Sequence, residues 1–131
     1  MLKVIAIDPG PHIGLAVRNE VGKPVVLMVQ NNAEDVVHLI LENKPDVLVV
    51  ERFATGGRLS KYGHETIEIV GIMRGLCYAT GIKFVRQVPQ YRYAFLSEAK
   101  SELKGLYKNL TQHEIDAYAH LLAWEHYHAN D

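Results

Sequence analysis

Val4-Ile5-Ala6-Ile7-Asp8-Pro9-Gly10 is an aliphatic run that ends on an acid and then on a turn. The β-branched residues favour extended backbone, and Pro-Gly stops it, so the stretch reads as a buried strand with a carboxylate at its end. Gly14 to Arg18 follows as a second strand. Asn19-Glu20-Val21-Gly22-Lys23 turns it back into a third, Pro24 to Gln30. Strands joined this tightly are antiparallel neighbours.

Further along, Asn32 is placed to cap a helix, with Asp35 three residues on. Val36, Val37, Leu39, Ile40 and Leu41 form its apolar face, and Asn43-Lys44-Pro45 stops it. Asp46 to Glu51 is almost unbroken apolar until its last residue, as expected of a strand covered on both faces. Ala54 to Gly63 reads as a loop, with a Gly56-Gly57 pair and basic Arg58 and Lys61. A helix then runs from about His64 to Thr80, closed by Gly81. Ile82 to Val88 is a fifth strand, ended by Pro89. Helices over about 90–103 and 112–126 complete the chain. The order βββαβαβαα predicts an α/β fold, with helices flanking a mixed five-stranded sheet. Without repeats, low-complexity tracts or linkers, residues 1–131 form one expected domain.

Composition narrows the classes. Apolar residues make up 48% and charged residues 22% of the 131, a mix that folds around its own core and does not indicate disorder. The first residues are too short an apolar run for a signal peptide, and no stretch reaches the roughly 20 apolar residues of a membrane span. Cys77 stands alone and reads as a small buried apolar residue, so a soluble protein of the reducing cytoplasm is expected. The net charge is only −1, but it is unevenly spread. Residues 1–50 carry four basic and six acidic side chains, residues 51–108 ten and five, and residues 109–131 none and four, which makes −2, +5 and −4. A basic middle beside acidic ends suits a protein that grips phosphates and holds metal, although chance clustering of surface charge gives the same pattern.

Asp8 and Glu51 both end apolar strands. If those strands are neighbours, two carboxylates meet at one sheet edge, where they repel unless a cation joins them; a divalent ion is the usual remedy. The last helix adds more. Ile115, Tyr118, Ala119, Leu122 and Ala123 mark its buried stripe, while His113, Asp116 and His120, three and seven residues apart, share a face. Its first turn can present His113 and Asp116 to one metal. Glu114 reads as a solvated acid suited to the helix dipole. The His-Glu-x-x-His zinc signature is not met, because the fourth residue after His113 is Ala117. His120 reads as a packing or hydrogen-bonding residue. His126 and His128 fall in an expected fraying tail.

Three blocks in this order resemble the RuvC-like Holliday junction resolvases of the ribonuclease H-like superfamily, particularly the short versions found in phages. They are Ile5-Ala6-Ile7-Asp8-Pro9-Gly10 with Gly14 after it, Val49-Val50-Glu51-Arg52-Phe53, and His113-Glu114-Ile115-Asp116-Ala117 with His120-Leu121-Leu122. Glu68 to Gly75 looks like that family's subunit-packing helix, and Val88-Pro89 falls where the family leaves its last strand. The resemblance implies a ribonuclease H-like fold and a crossover junction endodeoxyribonuclease of bacterial or phage-infected cytoplasm. Asp8, Glu51 and Asp116 would be its metal ligands. His113 would take a place that many relatives fill with Asp, as a fourth ligand or as a base. Two Mg2+ or Mn2+ ions about 4 Å apart would then bridge a scissile phosphate, with Asp8 between them. The loss of one negative charge at His113 favours manganese.

Branched DNA is the implied partner, a homodimer the implied assembly, and no nucleotide cofactor is expected. Arg52, Arg58, Lys61 and Arg74 are the candidate phosphate contacts. Phe53 would stack on an unpaired base or else fill the core. Arg92, Lys100, Lys104 and Lys108 read as a basic flank. Gly71, Gly75 and Ala79, at four-residue spacing, permit close approach either to a second subunit or to the protein's own sheet. Flap DNA, RNA–DNA hybrid or a ribosomal RNA precursor remain alternative substrates, and a non-catalytic DNA-binding module is the alternative class. Asp-x-Gly also opens sugar-kinase and actin-like folds, but those need two lobes that 131 residues do not supply.

Overall fold

The computed structural model describes residues 2–52 and 63–129. Its elements are β1 (Val4–Asp8), β2 (His12–Arg18), β3 (Pro24–Gln30), α1 (Ala33–Asn43), β4 (Val47–Glu51), α2 (Gly63–Thr80), β5 (Lys83–Gln87), α3 (Pro89–Lys104) and α4 (Gln112–Tyr127). The order is the one the sequence predicts, with ends shifted by a residue or two. Asn32 caps α1 by accepting from the Glu34 and Asp35 N–H groups. Lys44, at φ 47°, closes that helix in the left-handed region. Gly81 takes φ 78° after α2, where a side chain would be strained.

The sheet runs β3-β2-β1-β4-β5. β1, β2 and β3 are antiparallel neighbours, while β4 and β5 add in parallel on the other side of β1. Alternation along the strands divides the core in two. Ile5, Ile7, Ile13, Leu15, Leu48 and Val50 pack with residues of α1 and α2, among them Val36, Ile40, Ile69 and Met73. Val4, Ala6, Ala16, Val47 and Val49 pack on the opposite face with α3 and α4. The result is a three-layer sandwich, helices covering both faces of the sheet. Cys77 is buried in the α1–α2 layer, as expected. Among the described residues, no helix is long and apolar enough to cross a membrane.

α4 departs from the single buried stripe. Ten consecutive residues, Ile115 to Trp124, are buried, because α3 covers the side of α4 that the sheet leaves open. Ala117, Ala119 and Ala123 let the helix sit that close. Glu114 is not a free acid: it completes a capping box with Thr111. The helix also does not fray at His126, since the His128 N–H bonds the Trp124 carbonyl and its ring stacks on the Trp124 indole. The small stripe of α2 is settled too. Gly71, Gly75 and Ala79 are exposed, and no described atom lies within 4 Å of where a Cβ of either glycine would sit. The stripe therefore does not serve the protein's own sheet.

Candidate active site

Strand register brings the two strand-end acids together. Ile7 pairs with Val50 in the parallel β1–β4 ladder, so Asp8 and Glu51 stand one step further along neighbouring strands. Side chains alternate, and Ala6 and Val49 face α4, so Asp8 and Glu51 face α4 as well. α4 then lays its own polar residues over them. Its approach depends on Gly14, the partner of Asp8 across β2. A Cβ on Gly14 would stand 2.1 Å from the His113 carbonyl oxygen, so only glycine admits the helix N-terminus here. His113 Nδ1 consequently lies 3.2 Å from Asp8 Oδ2.

Asp116, one turn on, is 7% exposed and accepts from Gln112 Nε2 at 2.7 Å. His120, a further turn on, is fully buried; its ring bridges the Gln87 amide at 2.7 Å and Glu51 Oε1 at 3.2 Å. Arg92, on the first turn of α3, completes the cluster. Its Nε donates to Glu51 Oε1 at 2.8 Å, and its Nη1 lies 3.5 Å from Asp116 Oδ2.

The carboxylates divide the available positive charge unequally. Burial, then the charges of Glu51 and Asp116, push the Asp8 carboxyl up to about 8. Burial also works against the Glu51 charge, but hydrogen bonds from His120 and Arg92 outweigh it and hold Glu51 down at about 2. One guanidinium thus satisfies Glu51 and leans on Asp116, while Asp8 has no guanidinium partner and keeps its proton.

The same architecture occurs in solved structures. RuvC of T. thermophilus in complex with a Holliday junction substrate matches 98% of this chain and 96% of its own length, at 18% identity and a TM-score of 0.76. A further Thermus thermophilus RuvC structure gives 18% identity, the same coverage and a TM-score of 0.73. The chain has the RuvC fold. The yeast mitochondrial Holliday junction resolvase Ydc2 matches 96% of this chain and 78% of its own, at 12% identity and a TM-score of 0.55. No protein-family model and no curated protein matches the sequence.

Within the RuvC fold, Asp8, Glu51, His113 and Asp116 are brought to one end of the sheet, as their spacing suggests. Sequence places Arg92 on a basic flank with Lys100, Lys104 and Lys108; the structure puts it inside the acidic cluster. No local signal marks it: position 92 falls one turn beyond the Glu51 strand end because Gln87 pairs with Glu51 and Pro89 opens α3. The candidate phosphate contacts Arg52 and Arg74 are exposed and lie on the α2 side of the sheet, away from the carboxylates. The loop expected over Ala54 to Gly63 lies outside the described residues, as do Phe53, Arg58 and Lys61; only its last residue, Gly63, which opens α2, is described.

Oxygen donors with one imidazole are the set that magnesium and manganese accept. The crowding of carboxylates that keeps the Asp8 carboxyl protonated is what a divalent cation would relieve, so the residues fit such an ion in kind. Among the described residues no three acidic, histidine or cysteine side chains stand ready as a metal cage, and Glu51 and Asp116 are paired to Arg92. Loading the site would require the guanidinium to give up those carboxylates.

Proposed function

We infer that this chain is a metal-dependent endonuclease that resolves four-way DNA junctions. The observation that carries the reading is the meeting of Asp8, Glu51, Asp116 and His113 at one sheet edge, within a fold shared with a RuvC that holds a Holliday junction substrate. Asp8, Glu51 and Asp116 would hold Mg2+ or Mn2+, two ions per site, with His113 beside Asp8 as a further ligand or as the base that orients water. Bound there, such ions supply an activated water and stabilise the leaving oxygen of a phosphodiester.

The protein's own part is positional. His120 and Gln87 orient Glu51 from the buried side. Gln112 orients Asp116. Arg92 neutralises both carboxylates, and it offers a guanidinium of the kind that bonds phosphate oxygens. Resolution needs two cuts related by symmetry, so a twofold dimer is the proposed assembly. The exposed face of α2 supports this: Gly71 and Gly75 are open, and Ile67 and Ile72 are 48% and 40% exposed.

The test is cleavage of a labelled four-way junction, beside linear duplex, flap and RNA–DNA hybrid, in magnesium, manganese and EDTA. Paired symmetric nicks in the junction alone, and only with metal, are expected. Metal-dependent cutting of flap or hybrid instead would reassign the substrate. Equal junction binding in EDTA with no cutting in manganese would make the chain a binding module.

A further inference from the structure

Three arginines meet on the face of the sheet opposite the carboxylates. Val50 and Arg86 are partners in the β4–β5 register, so both side chains leave the sheet on one face. Val50 and Phe84, two residues before Arg86, belong to the core beneath α1 and α2, which identifies that face. Arg52 follows Val50 by two residues and so repeats its direction, and its N–H bonds the Gln87 carbonyl at 2.6 Å, which keeps it paired with β5. Arg74 stands on α2, next to buried Met73 and one turn after buried Val70, near enough for its charge to repel that of Arg86.

Arg86 is the anchored member. Its Nη2 donates to the Glu51 backbone oxygen at 3.4 Å, and its guanidinium lies 5.9 Å from the Phe84 ring centre. Its Nε is buried and has no hydrogen-bond partner among the described residues. Among the described residues, none of the three arginines forms an ion pair with a carboxylate. Burial, then repulsion from Arg52 and Arg74, lowers the Arg86 guanidinium below its ordinary range. A buried donor and three like charges at one edge are unfavourable unless an anion joins them. A phosphoryl group, with several acceptor oxygens, is the ligand that guanidinium forks match.

We propose that Arg52, Arg74 and Arg86 form a receptor for a phosphoryl group, filled by a backbone phosphate of the same DNA strand whose cut is assigned to the carboxylates. The proposal rests on the nuclease reading for the source of that phosphate, but the receptor itself does not depend on it. Because Arg86 is tied to the Glu51 carbonyl, an occupant would lie against the strand end that carries Glu51. A DNA strand draped over this sheet edge would then present one phosphate to the arginines and another to the acids.

Two measurements test it. In the first, inorganic phosphate is titrated into the full chain in EDTA, and arginine Nε–Hε signals are followed by 15N NMR against a chloride control of equal ionic strength. The Arg86 signal, identified by its loss in Arg86→Lys, should move and saturate with phosphate and not with chloride. In the second, binding of a four-way junction is measured in EDTA across salt for wild type, Arg86→Gln and Arg86→Lys. Arg86→Gln should bind about tenfold more weakly, with a log–log salt slope lower by about 0.9, the loss of one phosphate contact. Arg86→Lys should recover part of both.

An Arg86 signal indifferent to phosphate, with wild-type affinity and slope in Arg86→Gln, would overturn the proposal. A phosphate response with an unchanged junction slope would leave a site for free phosphate and remove the DNA assignment. A phosphate response in a protein that binds no DNA at all would refute the nuclease reading and leave the receptor standing. If Arg86→Gln fails to fold, Arg52→Gln and Arg74→Gln, both at exposed positions, carry the same expectations.

Discussion

Replacing Asp8 by asparagine should make the metal-free protein more stable while removing its chemistry. Asp8 is surrounded by Glu51 and Asp116, with His113 on its exposed side and Arg92 committed to the other two acids. Its carboxyl titrates at about 8, against 3.8 for an ordinary aspartate. In the unfolded chain the group takes the ordinary value, so the folded state binds the extra proton. That contribution to stability is fully present below about pH 3.8 and is lost as pH rises towards 8. Each pH unit costs about 1.4 kcal/mol, which sets a ceiling of about 5 kcal/mol near pH 7.5. Solvent access and sharing of charge among three carboxylates reduce this to about 1–3 kcal/mol.

Asparagine keeps the shape and has no proton to hold. Asp8→Asn should therefore melt about 3–10 °C higher than wild type near pH 7.5 in EDTA, for a domain of this size. The gap should narrow as pH falls towards 3.8 and close below it, where wild-type Asp8 is protonated in both states. Saturating manganese should raise the wild-type melting temperature and leave that of the variant nearly unchanged. Thermal unfolding followed by circular dichroism, in EDTA and in manganese at several pH values, measures all of this. A variant less stable than wild type at neutral pH, or a gap that widens on acidification, would refute the reasoning.

Gly14→Ala should cost about 1–3 kcal/mol in urea unfolding, because its methyl group meets backbone and not a yielding side chain. It should also slow junction cleavage, since His113 moves with the α4 backbone. Arg92→Gln should lower the melting temperature in EDTA, with about 3 kcal/mol lost as Glu51 and Asp116 lose their partner. The rise on adding manganese should be larger than in wild type; an equal rise in both proteins would mean that guanidinium and metal do not compete. His113→Asp restores a negative charge beside Asp8 and should raise the ratio of junction cleavage in magnesium to that in manganese several-fold. An unchanged ratio would remove His113 from the metal's surroundings.

Much of this architecture was legible locally. Apolar runs ended by Pro, Gly or Asn marked most elements in order, and the Asn32 cap and the Gly81 ending hold in the fold. Asp8 and Glu51 were legible as a pair because each closes an aliphatic strand and those strands are neighbours. Asp116 and His113 were legible because helical spacing puts both on one face at the start of α4. These signals act within a few residues, through backbone preference and side-chain periodicity, and so survive in the sequence unaided.

Only the tertiary structure decided what separates residues far apart in the chain. The distance from Glu51 to Arg92 is 41 positions, and nothing near either residue shows that they pair at 2.8 Å. Read locally, Arg92 is one more surface cation. The burial of α4 on nearly all sides came from α3 closing over it, an arrangement that a single apolar stripe does not encode. Glu51 and Arg52 were adjacent in every local reading, yet the pleat sends one to the acidic site and the other to the arginines behind the sheet. Local rules set where a side chain starts and which way it leaves the backbone. What it meets depends on the packing of distant elements, and at this site that packing determines which carboxylates pair with a guanidinium and which does not.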